Sequence, residues 1–164
     1  TQWDPYRFFN IWVLDFGGSG LLGYAQFPNL SGLDGLPEDG FDFTDGIVIG
    51  YQFFGRTGQV SAPFDLGRTT THEVGHWLGL RHIWGDGGCD MDDYCEDTPV
   101  ADGPNRSCET RDSCPGGGPD MIENYMDYST DGCMNIFTKD QRMRMRTVME
   151  MSPMRNALIV CQLA

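Results

Sequence analysis

Three short apolar runs dominate the first third of the chain. Phe8 to Phe16 (FFNIWVLDF) is β-branched, aromatic and almost continuously apolar, which predicts a buried strand. Gly17-Gly18-Ser19-Gly20 interrupts it. Leu21 to Phe27 reads as a second strand, stopped by Pro28, and Ile47 to Phe54 (IVIGYQFF) as a third. The Gly-, Pro- and Asp-rich stretch 28–45 and the stretch 55–66 read as loops. A helix is predicted from about Gly67 to Leu78, with Asp65 placed to cap it. Thr69, Thr70 and Thr71 are mediocre helix formers, so packing must hold this helix. Periodicity is then lost from Asp86 to Asp131, a loop-rich stretch that includes Gly116-Gly117-Gly118-Pro119. Thr138-Lys139-Asp140-Gln141 is a capping box opening a helix to about Glu150, and Ser152-Pro153 restarts a short helical turn. Met143, Met145, Met149, Met151 and Met154 read as packing residues.

Composition narrows the class. At 164 residues and 40% hydrophobic, the chain is one domain with enough apolar surface for a core. Its net charge is −13, which argues against nucleic acid or an anionic membrane as partner and suits cation binding or basic substrates. No apolar run is long enough to span a bilayer. The six cysteines form no C-x-x-C pair, so disulfides in an oxidising, extracellular compartment are expected, with fifteen pairings open. The chain begins at Thr1 without a signal peptide and reads as a processed fragment of a secreted precursor.

The chemistry concentrates in His72-Glu73-Val74-Gly75-His76-Trp77-Leu78-Gly79-Leu80-Arg81-His82, an H-E-x-x-H-x-x-G-x-x-H pattern that holds all three histidines of the chain. Four residues apart on a helix, His72 and His76 share one face. Gly79 lets the chain leave the helix through a left-handed conformation, so that His82 returns as a third nitrogen ligand. Three imidazoles leave one position open on a tetrahedral zinc ion, the catalytic arrangement. A water there has its pKa lowered to about 7, and Glu73 is placed to take its proton as general base. A core helix with hydrogen-bonded histidines accounts for one such residue well and for three at this spacing hardly at all.

This long motif resembles the metzincin zinc endopeptidases. Asn124-Tyr125-Met126-Asp127-Tyr128 is similar to their Met-turn, and Cys89, Asp97-Thr98-Pro99 and Cys133-Met134-Asn135-Ile136-Phe137-Thr138 resemble the pappalysin family in particular. The resemblance runs from about Asn10 to Arg146. It implies an α/β (α+β) metzincin-type fold: a twisted, mostly parallel sheet with an antiparallel edge strand, the active-site helix above it, and a loop-rich, disulfide-stapled lower subdomain with a C-terminal helix. The single catalytic domain, 1–164, would divide into an upper subdomain of about 1–82 and a lower one of about 83–164. The family's first strand and long backing helix are not represented. Either a separate N-terminal fragment of the same precursor completes the domain or this form is truncated, and the bare sheet face favours the fragment.

The resemblance also carries site residues. Leu22, Gly23, Tyr24 and Ala25 correspond to the edge strand that pairs with an extended substrate. Met126 would form the hydrophobic base beneath the ligands, and Tyr128 would assist at the zinc or the oxyanion; as a bland alternative Tyr128 is a half-buried tyrosine. Asp90 to Thr98 (DMDDYCEDT) is by composition a solvated acidic loop. The resemblance favours one or two structural calcium ions there, with Met91, Asp93, Glu96 and Thr98 as ligands. It suggests disulfides Cys89–Cys114 and Cys108–Cys133, leaving Cys95 and Cys161 to each other. Asp131 matches an acid that selects basic residues after the scissile bond, by a bidentate fork to guanidinium or a point contact to ammonium; otherwise it is a turn residue or a calcium ligand. The implied activity is that of a secreted zinc endopeptidase acting on proteins and peptides, cutting on the N-terminal side of Arg and Lys. A metal-stabilised binding module is disfavoured by the intact Glu73 and the open ligand position, and an enzyme of non-peptide amides or esters by the Met-turn and edge strand.

Overall fold

The computed structural model describes residues 1–37 and 42–160. Its sheet has three strands, β1 (Ile11–Leu14), β2 (Gly23–Ala25) and β3 (Ile47–Gly50), in the order β1-β3-β2. Strand β1 runs parallel to β3, pairing Ile11 with Ile47 and Leu14 with Gly50. Strand β2 runs antiparallel, pairing Gly23 with Ile49 and Ala25 with Ile47. Among the described residues the sheet is thus mixed, with one parallel and one antiparallel pairing, and the antiparallel edge strand is β2. Three helices follow: α1 (Arg68–Trp77), α2 (Lys139–Met151) and α3 (Pro153–Val160). The last is a full two turns, longer than the single turn read from Ser152-Pro153.

Burial within the sheet departs from the apolar pattern. Every residue of β3 is buried, as its run of apolar side chains predicts. Strand β1 is just as apolar but exposed: Ile11, Val13 and Leu14 each show more than 40% of their surface. It lies at the sheet edge, pairing only with β3 among the described residues, and Trp3 and Phe8 are exposed beside it. An apolar run reports what a strand is suited to touch, not what this chain supplies to cover it.

Two clusters make the core. Ile47, Ile49 and Trp77 are buried with Phe9, Val74, Leu78, Met149 and Leu158 packed against them, which joins the sheet to α1 and to the C-terminal helices. Leu80, Ile83, Trp84, Ala101 and Met126 form the second, flanked by Met121, Phe137 and Met145. Of the C-terminal methionines, Met145 packs on the second cluster, Met149 on the first, and Met154 is buried, as gap-filling side chains are. Met143 and Met151 instead lie exposed and do not pack as their apolar character predicts. Between the clusters lies α1. Its C-terminal end is held by Arg155, whose Nε donates to the Trp77 carbonyl at 3.1 Å while its guanidinium lies 3.9 Å from the Trp77 ring and pairs with buried Asp45 at 2.6 Å.

The helix ends show what is local and what is not. At the C-terminus of α1, Gly79 has φ of 88°, its N–H bonds to His76 O, and Leu80 N–H reaches back to Gly75 O. This is the Schellman closure that a glycine at this position predicts. The capping box of α2 also forms: Thr138 Oγ1 accepts from Gln141 N at 3.1 Å and Gln141 Oε1 from Thr138 N at 3.0 Å. The N-terminus of α1 differs. Asp65 does not cap it; the N-cap is Gly67 in a left-handed conformation without a side-chain bond. Asp131 serves instead from a distant part of the chain, its Oδ2 accepting from Leu66 N at 2.7 Å and Arg68 N at 3.2 Å.

Candidate metal centre and substrate cleft

Helix α1 presents His72 and His76 from one face, and the Gly79 turn returns His82 to meet them. The Nε2 atom of His76 lies 3.0 Å from that of His72 and 3.0 Å from that of His82. Each ring is fixed through its other nitrogen. His72 Nδ1 is 2.7 Å from the Tyr125 carbonyl, His76 Nδ1 is 2.7 Å from the Leu80 carbonyl, and His82 Nδ1 meets an Asp86 carboxylate oxygen. Acceptors at all three Nδ1 atoms demand N–H there, which leaves a lone pair on every Nε2. Three lone pairs converging without a proton between them repel unless a cation sits among them, so the donor set fits a zinc ion. Burial, followed by the neighbouring imidazoles, drives His72 well below the usual histidine value, and burial then His82 push His76 down to about 3. Both rings are therefore neutral, as metal ligands must be. Among the described residues this is the sole cluster of three or more His, Cys, Asp or Glu able to hold a metal.

Glu73 is 6% exposed beside the pair, and burial alone pushes its carboxyl up to about 8; a cation nearby would draw it down again. Its position depends on Gly23, because a Cβ there would stand 2.9 Å from Glu73 Cγ and Oε1. Met126 is fully buried beneath α1, and a Cβ on Gly75 would stand 2.4 Å from its sulfur. One unspecified position of the histidine motif is thus glycine for a packing reason. The ring of Tyr128 is centred 4.9 Å from His82 and 5.5 Å from His72. Burial, then the charges of Glu73 and Asp86, raise its pKa, so the phenol stays protonated and able to donate.

A cavity of about 210 Å³ opens beside the histidines, lined by Leu22, Gly23, Glu73, Tyr128, Arg106 and Asp131 among others. Tyr24 is exposed on the same strand. Asp131 is 2% exposed. Its Oδ2 is committed to the start of α1, whereas buried Oδ1 has no hydrogen-bond partner. A bidentate fork to both oxygens is therefore closed, and Oδ1 is the oxygen that remains unpaired, in a residue that lines the cavity.

Several residues of the site escape sequence reasoning. Asn124, fully buried, exchanges two bonds with Gln141 and accepts from Met126 N at 2.9 Å, so the capping glutamine of α2 also pins the turn carrying Met126. Asp127 accepts from Asn105 N and Nδ2 at 2.9 and 2.8 Å, tying that turn to the acidic span. Asp86, four residues after His82, was the one with a signal: ligand histidines need a partner for their second nitrogen.

Disulfides join Cys89 to Cys114 and Cys108 to Cys133. Cys161 lies outside the described residues, and Cys95 is buried with no disulfide among them. In the acidic loop Asp93 and Thr98 come together: the Thr98 hydroxyl is 2.8 Å from both Asp93 carboxylate oxygens. The Glu96 side chain is exposed, as is Met91.

A mixed sheet with an antiparallel edge strand, a helix bearing two histidines, a glycine turn to a third, and a methionine turn beneath them define a metzincin-type metallopeptidase fold. Residues 1–150 match the profile described as peptidase M43, pregnancy-associated plasma protein-A, and the chain belongs to this family, the pappalysins. It is 46% identical over 147 residues to extracellular metalloprotease 1 of Coccidioides posadasii, covering 87% of this chain and 50% of that one. It is 44% identical over 141 residues to an extracellular metalloprotease of Uncinocarpus reesii, covering 85% and 47%. The chain thus spans about half the length of these relatives. Among solved structures it resembles Tannerella forsythia mature mirolysin in complex with a cleaved peptide, at 46% identity and a TM-score of 0.80 over 96% of this chain and 58% of that one. A promirolysin mutant of the same organism aligns at 44% identity and a TM-score of 0.82, over 99% and 53%.

Proposed function

We propose that this chain carries the catalytic site of a secreted zinc endopeptidase that cleaves proteins and peptides on the N-terminal side of Arg and Lys. The observation that supports this most strongly is the histidine cluster, whose three Nδ1 atoms are all engaged and whose Nε2 lone pairs all converge. His72, His76 and His82 hold the zinc, which supplies Lewis acidity toward a carbonyl and acidifies water. Glu73 takes the proton of the attacking water as general base and returns it to the leaving amine. The Tyr128 hydroxyl donates to the oxygen on which negative charge develops. The edge of β2 that is unpaired among the described residues, Gly23, Tyr24 and Ala25 with Leu22 just before it, offers main-chain groups to an extended peptide. A basic side chain entering the cavity meets the remaining oxygen of Asp131.

Two disulfides and the extracellular relatives support a secreted protein. Thirteen acids between Asp86 and Asp131 support calcium binding in that span, around Met91, Asp93, Glu96 and Thr98. The edge of β1, unpaired among the described residues, and the exposed Trp3, Phe8, Ile11, Val13 and Leu14 support a companion, an N-terminal segment of the same precursor that adds a strand there. The function is tested by incubating the protein with a denatured protein mixture, with and without a zinc chelator, and sequencing the new termini. Chelator-sensitive cleavage before Arg and Lys is expected, with Glu73→Ala inactive yet still holding one zinc. Cleavage that survives both chelator and substitution would refute the assignment.

A further inference from the structure

The three ligand rings are held by unlike partners. His72 and His76 lean on neutral backbone carbonyls supplied by Tyr125 and Leu80, whereas His82 leans on the Asp86 carboxylate. The chain is bent to make that contact. Gly85 and Asp86 have φ of 60° and 64°, and Asp86 is not a glycine, so the left-handed backbone carries a steric cost that only a few residue types bear easily. The Gly85 N–H closes back on the His82 carbonyl at 2.9 Å, and the N–H groups of Gly87 and Gly88 both close on Trp84 O. This tight reversal returns the Asp86 side chain to residue 82. Arg81 braces it from outside, its Nη2 donating to Gly85 O at 2.8 Å and lying 3.5 Å from the second Asp86 oxygen. Trp84 stacks on the His82 ring at 4.2 Å and 5° between planes, fixing the ring plane.

We propose that Asp86 is a positioning residue for the metal centre, acting through His82: its carboxylate holds the third ligand in the Nδ1–H tautomer, aims Nε2 at the other two, and makes His82 the most strongly donating of the three. The inference rests on the zinc-site assignment under Proposed function. His82 needs this support more than its companions do. His72 and His76 are carried on α1, whereas His82 stands in a loop after the helix has ended, where no helical backbone sets the ring. An Asp that served only as a turn former would leave its carboxylate in water; in this loop one oxygen meets imidazole and the other faces Arg81.

The test measures zinc affinity by competition with a chromophoric chelator, and the melting temperature of the metal-free protein, for wild type, Asp86→Asn, Asp86→Ala and Arg81→Ala. Asp86→Ala should bind zinc about 10- to 100-fold more weakly, the usual loss when a ligand histidine is stripped of its partner. The near-isosteric Asp86→Asn keeps an oxygen acceptor without the charge, and should lose less than Asp86→Ala but remain measurably weaker than wild type. Arg81→Ala leaves the carboxylate on His82 and should stay within about threefold of wild type. The metal-free melting temperature of Asp86→Asn should match wild type, since the contact acts on the ligand and asparagine bears the left-handed backbone, whereas Asp86→Ala should melt a few degrees lower because alanine does not. The near-isosteric variant therefore isolates the effect on zinc. Wild-type zinc affinity in Asp86→Ala, or an equal loss in Arg81→Ala, would overturn the inference and show that the loop shape, not the carboxylate, positions His82. A wild-type protein that binds no zinc would instead overturn the metal centre itself.

Discussion

Replacing Asp131 by alanine removes two things at once, and the structure allows them to be separated. The Oδ2 atom accepts the N–H groups of Leu66 and Arg68 at the start of α1, a helix whose own N-cap, Gly67, offers no side chain. Hydrogen bonds from buried donors to a charged acceptor contribute about 1.5–3 kcal/mol each, and caps about 0.5–2. Loss of both bonds should therefore cost about 2–3 kcal/mol, partly offset by water reaching the freed N–H groups. For a chain of this size that lowers the melting temperature by about 4–12 °C. The other oxygen, Oδ1, is buried without a partner in a residue that lines the cavity, and there the charge itself matters. Asp131→Asn keeps an oxygen for Leu66 and Arg68 but removes the charge. It should melt within about 4 °C of wild type, yet lose about 10- to 100-fold of the preference for Arg and Lys over neutral residues, the worth of one buried ionic contact. Because only one oxygen is free, Arg should gain little over Lys. The assay is calorimetry on the three proteins beside cleavage-site profiling on one peptide library. An alanine variant as stable as wild type would show that Asp131 does not hold α1, and an asparagine variant with unchanged preference would show that it does not select the substrate.

Gly75→Ala should destabilise the protein by about 1–3 kcal/mol, because the new Cβ would stand 2.4 Å from the Met126 sulfur. Alanine ordinarily favours a helix interior over glycine by about 1 kcal/mol, so a raised melting temperature would refute the close packing. Gly23→Ala should lower kcat with zinc content unchanged, since its Cβ would stand 2.9 Å from both Cγ and Oε1 of Glu73; full turnover in a zinc-loaded variant would count against this placement. Burial raises the Asp93 carboxyl to about 6, above about 3.9 for an unfolded aspartate. Its contribution to stability is then fully present below about pH 4 and lost as pH rises through about 6. Without calcium, Asp93→Asn should flatten that decline in the melting temperature; calcium should raise the wild-type melting temperature most above pH 6. A melting temperature indifferent to calcium would remove the site from the acidic loop.

Helix α1 and its histidine cluster were legible in the sequence because their logic is local. Histidines four apart share a helix face, a glycine three residues on ends the helix, and both rules hold at distances of one turn. The α2 capping box was legible for the same reason. The apolar runs located all three strands, but burial followed for β3 and failed for β1, because an edge strand is covered only by what lies beside it in space. The start of α1 depends on Asp131, 63 residues after Arg68. The seat of Met126 depends on Asn124 meeting Gln141, and the orientation of His72 on the Tyr125 carbonyl. Such contacts have no period and no fixed spacing. They exist because two hydrophobic clusters press α1 between them, and that packing brings polar groups distant along the chain within bonding reach, where burial makes leaving them unpaired too costly.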